Sequence, residues 1–190
     1  MAKVTEIRWH GRGGQGVVTA GKMLAQVALD SGQYFQAFPD YGPERAGAPI
    51  RAFTRLSSEP IHLHSQIEEP DVVLVLDPTL LEAVKVTDGL KEDGILVVNT
   101  DESPAKVREM VGFHTGKVFT VEATKIALET LGREITNTPM LGALVKATGL
   151  STIEDLVAQT RKQFGEKFGT EVVKRNVEAI KRAAEEVQEG

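Results

Sequence analysis

An α/β fold on a mostly parallel sheet is predicted by three features of the sequence. A strand-like segment, Ile7 to His10, runs directly into a glycine-rich turn, Gly11 to Gly16, and then into a helical pattern from Val17 to Leu29. Three short, largely apolar segments, Val72–Leu76, Ile95–Val98 and Val118–Val121, fit strands buried on both faces. Helical periodicity occupies the end of the chain.

Taken in order, Val17, Leu24, Ala25 and Ala28 carry the apolar stripe of the first helix, which Ser31 and Gly32 stop. Tyr34–Phe38 reads as the second strand, and strand–turn–helix–strand implies a parallel pair joined by a right-handed crossover. Residues Pro39 to Pro49 are too rich in Gly and Pro for a helix. From Ile50 to Leu56 the residues alternate: Ile50, Ala52, Thr54 and Leu56 face one way, and Arg51, Phe53 and Arg55 the other. Ser57 to Pro60 is a turn, and Ile61–His64 is expected to pair back as a hairpin, giving a β-ribbon insertion.

Asp77 and Pro78 supply an N-cap and a first-turn proline for a helix through Val84. Glu92 to Gly94 is a turn before the Ile95 strand, and Thr124–Leu131 is a helix stopped by Gly132. Thr138 and Pro139 start a helix that Gly149 ends. Ser151 to Glu154 reads as a capping box for a helix through Phe164. A last amphipathic helix, Thr170 to about Val187, carries Val173, Val177, Ile180, Ala184 and Val187. The expected whole is a Rossmann-like sheet flanked by helices, with a β-ribbon insertion and a helical C-terminus, in one domain over 1–190.

Composition narrows the function. The 190 residues are 41% hydrophobic and 26% charged, with a net charge of -5. An acidic surface attracts neither nucleic acid nor acidic lipid. No apolar run approaches the roughly 18 residues that span a bilayer. The first residues hold no apolar signal core, so the expected compartment is the cytoplasm. There is no cysteine, which excludes disulfides, thiolate nucleophiles and cysteine-ligated iron–sulfur clusters from this chain.

Gly11, Gly13 and Gly16 match G-x-G-x-x-G, with Gly14 as an extra glycine. Such a turn opens helix N–H groups to an anion. A dinucleotide site also needs an acid about 20 residues on to hold a ribose. Gln33 to Phe38 offers none, and Asp40 comes late. Arg12 and Gln15 put bulky side chains in the turn, suited to touching something other than a cofactor. Two readings stand: a phosphate cradle, or glycines that let the helix pack closely and a partner backbone approach. Proline restricts and glycine tightens the backbone of Tyr41–Pro49, which reads as a shaped loop; its Tyr41, Glu44 and Arg45 face a ligand or partner on one reading and solvent on the other.

Other candidates read as structural. His62 and His64 would share a strand face, but no third metal ligand is near. His10 ends a strand beside the turn, where a structural hydrogen bond is favoured over general-base work. Asp77, Asn99 and Glu122 each end a buried strand, and helix-cap or turn roles are preferred there. No nucleophile–base pair, H-E-x-x-H or lysine-bearing phosphate loop is present, so no catalytic residue and no metal ligand is assigned.

Taken together, four segments resemble the gamma subunit of 2-oxoacid:ferredoxin oxidoreductases. They are Ile7–Gly21, Gln36–Pro49, Glu69–Pro78 and Asn137–Gly142, in order along nearly the whole chain. The likeness is strongest to the pyruvate-using, pyruvate synthase type, with the 2-oxoisovalerate type close behind. A stand-alone dinucleotide-binding module is the other alternative. Ala46 departs from the family's commoner Arg-Gly-Gly near the shaped loop.

The resemblance implies a role in oxidative decarboxylation of a 2-oxoacid, with the acyl group passing to coenzyme A and electrons to ferredoxin. It implies alpha, beta and delta partner chains, which carry the thiamine diphosphate and the iron–sulfur clusters, and no activity of this chain alone. Gly11, Arg12, Gly13, Gly14, Gln15, Gly16, Tyr41, Glu44 and Arg45 are then the residues expected at a subunit interface or at an edge facing coenzyme A.

Overall fold

The computed structural model describes residues 4–40, 47–63, 65–165 and 167–190. Strand β1 (Thr5–Arg12) leads through the glycine turn into α1 (Val17–Asp30), β2 (Tyr34–Pro39) and β3 (Pro49–Ser57). Then follow β4 (Val72–Val75), α2 (Leu80–Ala83), β5 (Ile95–Asn99), α3 (Pro104–Val111), β6 (Lys117–Val121) and α4 (Ala123–Leu131). The chain closes with α5 (Asn137–Thr148), α6 (Ile153–Gly165), α7 (Thr170–Glu186) and β7 (Gln188–Glu189).

One sheet runs in the order β2-β3-β1-β4-β5-β6-β7. β1, β4, β5 and β6 form its parallel heart, and antiparallel strands close both ends. The parallel strands are apolar runs because helices cover both faces. On one face α1 and the helices from α4 onward build the larger core around Trp9, Leu74, Met140 and Ile180. On the other, α2 and α3 cover a smaller core around Val73, Val98 and Val107. Among the described residues no helix is long and apolar enough to cross a membrane.

The expected parallel pairing of β1 with β2 is corrected. β2 runs in the direction of β1, but β3 lies between them, antiparallel to both. β3 is the segment able to sit there, because Ala52 to Ser57 are buried on both faces, whereas Tyr34 and Phe35 of β2 are exposed. Thr54 accepts from the Trp9 indole on one face at 2.9 Å, and Phe53 stacks on Phe38 on the other. The β-ribbon is therefore the β2–β3 hairpin. Residues 61–63 form no strand, since β1 and β2 already occupy both edges of β3; His64 lies outside the described residues.

Helix ends follow local chemistry. Gly112, Gly132 and Gly149 end α3, α4 and α5 in the left-handed region that favours glycine. The α6 cap is one residue later than its Ser151–Glu154 pattern suggests: Thr152 Oγ1 accepts from the Asp155 amide at 3.0 Å and donates to its carboxylate at 2.7 Å. α2 stops at Ala83 rather than Val84, because Val84 is extended and the chain carries Val86 into the smaller core. α3 is an element that sequence reading left unassigned. Its signals were Ser103, which caps Lys106, with Pro104 at its start.

Candidate functional site

The glycine turn stands at the C-terminal ends of β1 and β4. After β1 the chain passes to one face of the sheet in α1; after β4 it passes to the other in α2. Open α/β sheets bind ligands in the crevice where such paths diverge.

The backbone explains the glycines. Gly14 and Gly16 have φ of 97° and 75°, a region L side chains rarely adopt. A Cβ on Gly11 would collide with Val17, and one on Gly16 would lie 2.5 Å from Asn137 Nδ2. Gly16 opens α1 with no side-chain cap, and no acid occupies the first turn. The leading N–H groups of α1 and its positive dipole end are thus left for an acceptor from elsewhere.

Arg12 and Gln15, the bulky side chains of the turn, make hydrogen bonds within the chain. Gln15 Oε1 accepts from the Arg12 amide at 2.7 Å, while its Nε2 donates to Asp77 Oδ2 at 2.8 Å. Arg12 donates to Thr79 Oγ1 at 2.7 Å from Nη2 and to the Gly47 carbonyl at 3.0 Å from Nη1, and its Nε lies 3.2 Å from Asp77 Oδ2. The Gly13 amide donates to the Ala48 carbonyl at 3.1 Å. Three connections, after β1, before β3 and after β4, are thereby bound into one rim.

Asp77 is the centre of this rim, and does more than cap a helix. Its Oδ1 also accepts from the Thr79 amide at 3.0 Å and the Thr79 hydroxyl at 2.5 Å. Burial raises the Asp77 carboxyl, but the hydrogen bonds from Thr79 and Gln15 and the Arg12 charge outweigh it. The group is held below its ordinary value, and stays ionised.

The shaped loop is pinned at both ends. Arg12 holds Gly47. At the other end the Asp40 carboxylate pairs with Arg51 at 2.6 Å and accepts from Gln66 at 2.8 Å. Tyr41, Glu44, Arg45 and Ala46 lie outside the described residues.

His10 is buried and its Nε2 accepts from Arg8 Nε at 3.1 Å. Burial, then the charges of Arg8 and Arg51, push its pKa down to about 3. It is neutral at physiological pH, in a structural role. Arg8 itself ties β1 to the carbonyls of Val86 and Asp88. Asn99 bonds the Leu76 carbonyl and caps α4 by accepting from the Thr124 amide at 3.1 Å. Glu122 pairs with Lys125 on the surface. His62 is exposed outside any strand, and no metal-binding group of three or more His, Cys, Asp or Glu forms among the described residues. Two residues that sequence reasoning did not place at the turn belong there, Thr79 and Asn137. The second lay in view in the Asn137–Gly142 segment, without a sign of what it touches.

The comparisons with known proteins cover the whole molecule. The family model described as pyruvate ferredoxin/flavodoxin oxidoreductase matches residues 6–186. Pyruvate synthase subunit PorC of Thermotoga maritima is 52% identical over 186 residues, 98% of this chain and 96% of that protein. The pyruvate/ketoisovalerate oxidoreductases common subunit gamma of Pyrococcus abyssi is 52% identical over 183 residues, 96% of this chain and 97% of that one. The crystal structure of pyruvate oxidoreductase subunit PORC from Thermotoga maritima superposes with a TM-score of 0.87 at 48% identity, over 99% of each chain. Likeness of sequence and of fold runs the length of the chain, which belongs to the pyruvate ferredoxin/flavodoxin oxidoreductase family.

Proposed function

We propose that this chain, over 1–190 as one domain, is the gamma subunit of a multi-subunit pyruvate:ferredoxin oxidoreductase working in the cytoplasm. The complex converts pyruvate and coenzyme A to acetyl-CoA and carbon dioxide while reducing ferredoxin. The observation that carries this reading is likeness from end to end: 52% identity spans 96% of a protein that is itself named a subunit. Alpha, beta and delta chains are the expected partners.

Thiamine diphosphate and iron–sulfur clusters on those chains supply the decarboxylating and electron-carrying chemistry. The residues of this chain do not fit a cluster, because it has no cysteine. They fit the phosphates of coenzyme A better: the N-terminus of α1 is uncapped, and the Arg12–Asp77 rim fixes the turn in front of it. The part proposed for this chain is to hold that turn, with Tyr41, Glu44 and Arg45 of the neighbouring loop, against a partner chain or the coenzyme.

A second reading concerns the substrate. The Pyrococcus abyssi protein is named as common to pyruvate and ketoisovalerate oxidoreductases. A gamma chain that leaves the choice of acid to other subunits would serve a branched 2-oxoacid enzyme equally.

Co-expression with and without this chain, followed by an assay of coenzyme A-dependent ferredoxin reduction, tests the proposal. Activity should require the chain, and the chain alone should have none. Running pyruvate against 2-oxoisovalerate separates the two substrate readings. Native protein that purifies with no alpha or beta partner, or that binds NAD or FAD tightly by calorimetry, would overturn the subunit reading.

A further inference from the structure

Strand β2 ends the sheet on its side, and among the described residues no strand pairs with its outer edge. Edge strands are usually guarded by charge, because their open N–H and C=O groups recruit other strands. Tyr34–Pro39 reads Tyr-Phe-Gln-Ala-Phe-Pro, with no charged residue. Its proline, the one residue without a donor, comes last. Tyr34 is 49% exposed and Phe35 38%, and Leu63 beside the strand is 48% exposed. The ladder to β3 fixes which backbone groups are free. The Asp40 amide donates to the Arg51 carbonyl at 3.0 Å, one step beyond the pairing of Pro39 with Ala52. Bonding alternates along an antiparallel ladder, so Phe38, Gln36 and Tyr34 also turn their N–H and C=O groups toward β3. Phe35 and Ala37 turn theirs outward, one on each side of Gln36.

This edge is complementary to itself. A second β2, antiparallel and related by a two-fold axis at Gln36, sets Phe35 opposite Ala37 of the copy and Ala37 opposite its Phe35. Every outward N–H of the two residues then meets an outward C=O. The same axis sets Tyr34 opposite Phe38 of the copy, in a pair without hydrogen bonds, where side chains come closest. A pocket of about 370 Å³ opens at that place, lined by Gln36, Ala37, Phe38 and Leu63. Tyr34, Gln36 and Phe38 share one face by alternation, and Leu63 is held to it, since Gln36 Nε2 donates to the Leu63 carbonyl at 2.9 Å. The ring of Tyr34 from the copy therefore arrives on the face where the pocket lies. The chain carries a net charge of -5, which opposes self-association in general, but β2 brings no charge to the contact. A strand of unrelated sequence would have no cause to match the spacing about Gln36.

We propose that the outer edge of β2 binds a second copy of this chain, joining the two sheets antiparallel about Gln36. Phe35 and Ala37 supply the backbone bonds, and Tyr34 fills the pocket beside Phe38 of the copy. This inference stands independently of the gamma-subunit reading.

Sedimentation equilibrium of the full chain, with disulfide trapping beside it, tests the proposal. The chain should show a monomer–dimer equilibrium with a Kd below about 1 mM. Tyr34→Lys, at an exposed position, should weaken it at least about tenfold with an unchanged circular dichroism spectrum. Gln36→Cys sets a thiol opposite its own copy, with Cα atoms about 4.5 Å apart, within reach of a disulfide. The chain has no other cysteine, so mild oxidation should link this variant into dimers. Gln33→Cys, whose counterpart lies at the far end of the copy's strand, should stay unlinked. A chain that remains monomeric at about 1 mM overturns the proposal. So does a dimer indifferent to Tyr34→Lys, or one that Gln36→Cys fails to link, since either places the contact elsewhere. An edge reserved for another subunit would leave the isolated chain monomeric, with the Phe35 and Ala37 amides protected from hydrogen exchange only in the complex; that result also overturns it.

Discussion

Gln15 joins Asp77 by a 2.8 Å hydrogen bond that ties the turn after β1 to the connection after β4. The same glutamine accepts from the Arg12 amide, so one side chain fixes both the shape of the turn and its distance from the neighbouring strand. Asp77→Ala would leave the Gln15 amide, the Thr79 amide and the Arg12 guanidinium short of an acceptor. The expected loss is about 1–3 kcal/mol, read as a lower urea midpoint at unchanged slope. In a double-mutant cycle, Gln15→Ala and Asp77→Ala should be coupled by more than about 0.5 kcal/mol. Additive losses would show that the bond contributes nothing to the rim.

His10 gives the fold a defined acid sensitivity. Its pKa is down to about 3 in the folded chain, against 6.5 ordinarily. The unfolded chain takes up a proton first as pH falls below 6.5. Stability from this group is therefore whole above that point and drains by about 1.4 kcal/mol per pH unit until the folded imidazole titrates near 3. Gln at position 10 keeps an acceptor for Arg8 and does not titrate. His10→Gln should flatten the pH dependence of the denaturation midpoint between pH 6 and pH 4, by about 1–3 kcal/mol. A slope equal to that of the unmodified protein would remove His10 as its source.

How much of this was legible follows from which interactions are local. Left-handed glycines and apolar runs act within a few residues, so the strand, turn and helix from Ile7 to Leu29 could be read directly. The position of β3 could not. Its partners, β1 and β2, are set by competition among strands for the sheet, and Tyr34 and Phe35 look as suited to an inner strand as Phe53 does. The site divides in the same way. Gly14 and Gly16 declare themselves by type, whereas the partners of Arg12 and Gln15 within the chain, Asp77 and Thr79, are distant in sequence and are brought beside them by β1–β4 pairing. Nothing near Asn137 in the chain announces that it covers Gly16.

Asn137 opens the helix that contains Gly142, and that glycine makes a sharp packing prediction. A Cβ there would run into the backbone carbonyl of Ile180 on α7. Backbone cannot give way as a flexible side chain does, so α5 and α7 would have to separate. Gly142→Ala should destabilise by about 1–3 kcal/mol despite the better helix propensity of alanine, measured by thermal or urea denaturation. Gly165→Ala in α6 is the control, because a Cβ there meets nothing within 4 Å and the residue caps no helix N-terminus. Equal stability of the two variants would mean that the α5–α7 contact relaxes freely.

Gly14 allows the two proposed roles of the turn to be separated. A Cβ at this position meets nothing within 4 Å, so a large side chain would project outward from the rim rather than into the core. The backbone at φ 97° is strained for any L residue, and Gly14→Ala measures that penalty alone. Gly14→Trp adds bulk at the same φ. If the turn packs against a partner chain, Gly14→Trp should dissociate the complex in size-exclusion chromatography while Gly14→Ala leaves it whole. If it faces the phosphates of coenzyme A, the complex should stay assembled with either residue. The Michaelis constant for coenzyme A should then rise about tenfold or more with tryptophan, and the constant for pyruvate should not move. Normal assembly together with a normal coenzyme A constant for Gly14→Trp would sink both roles.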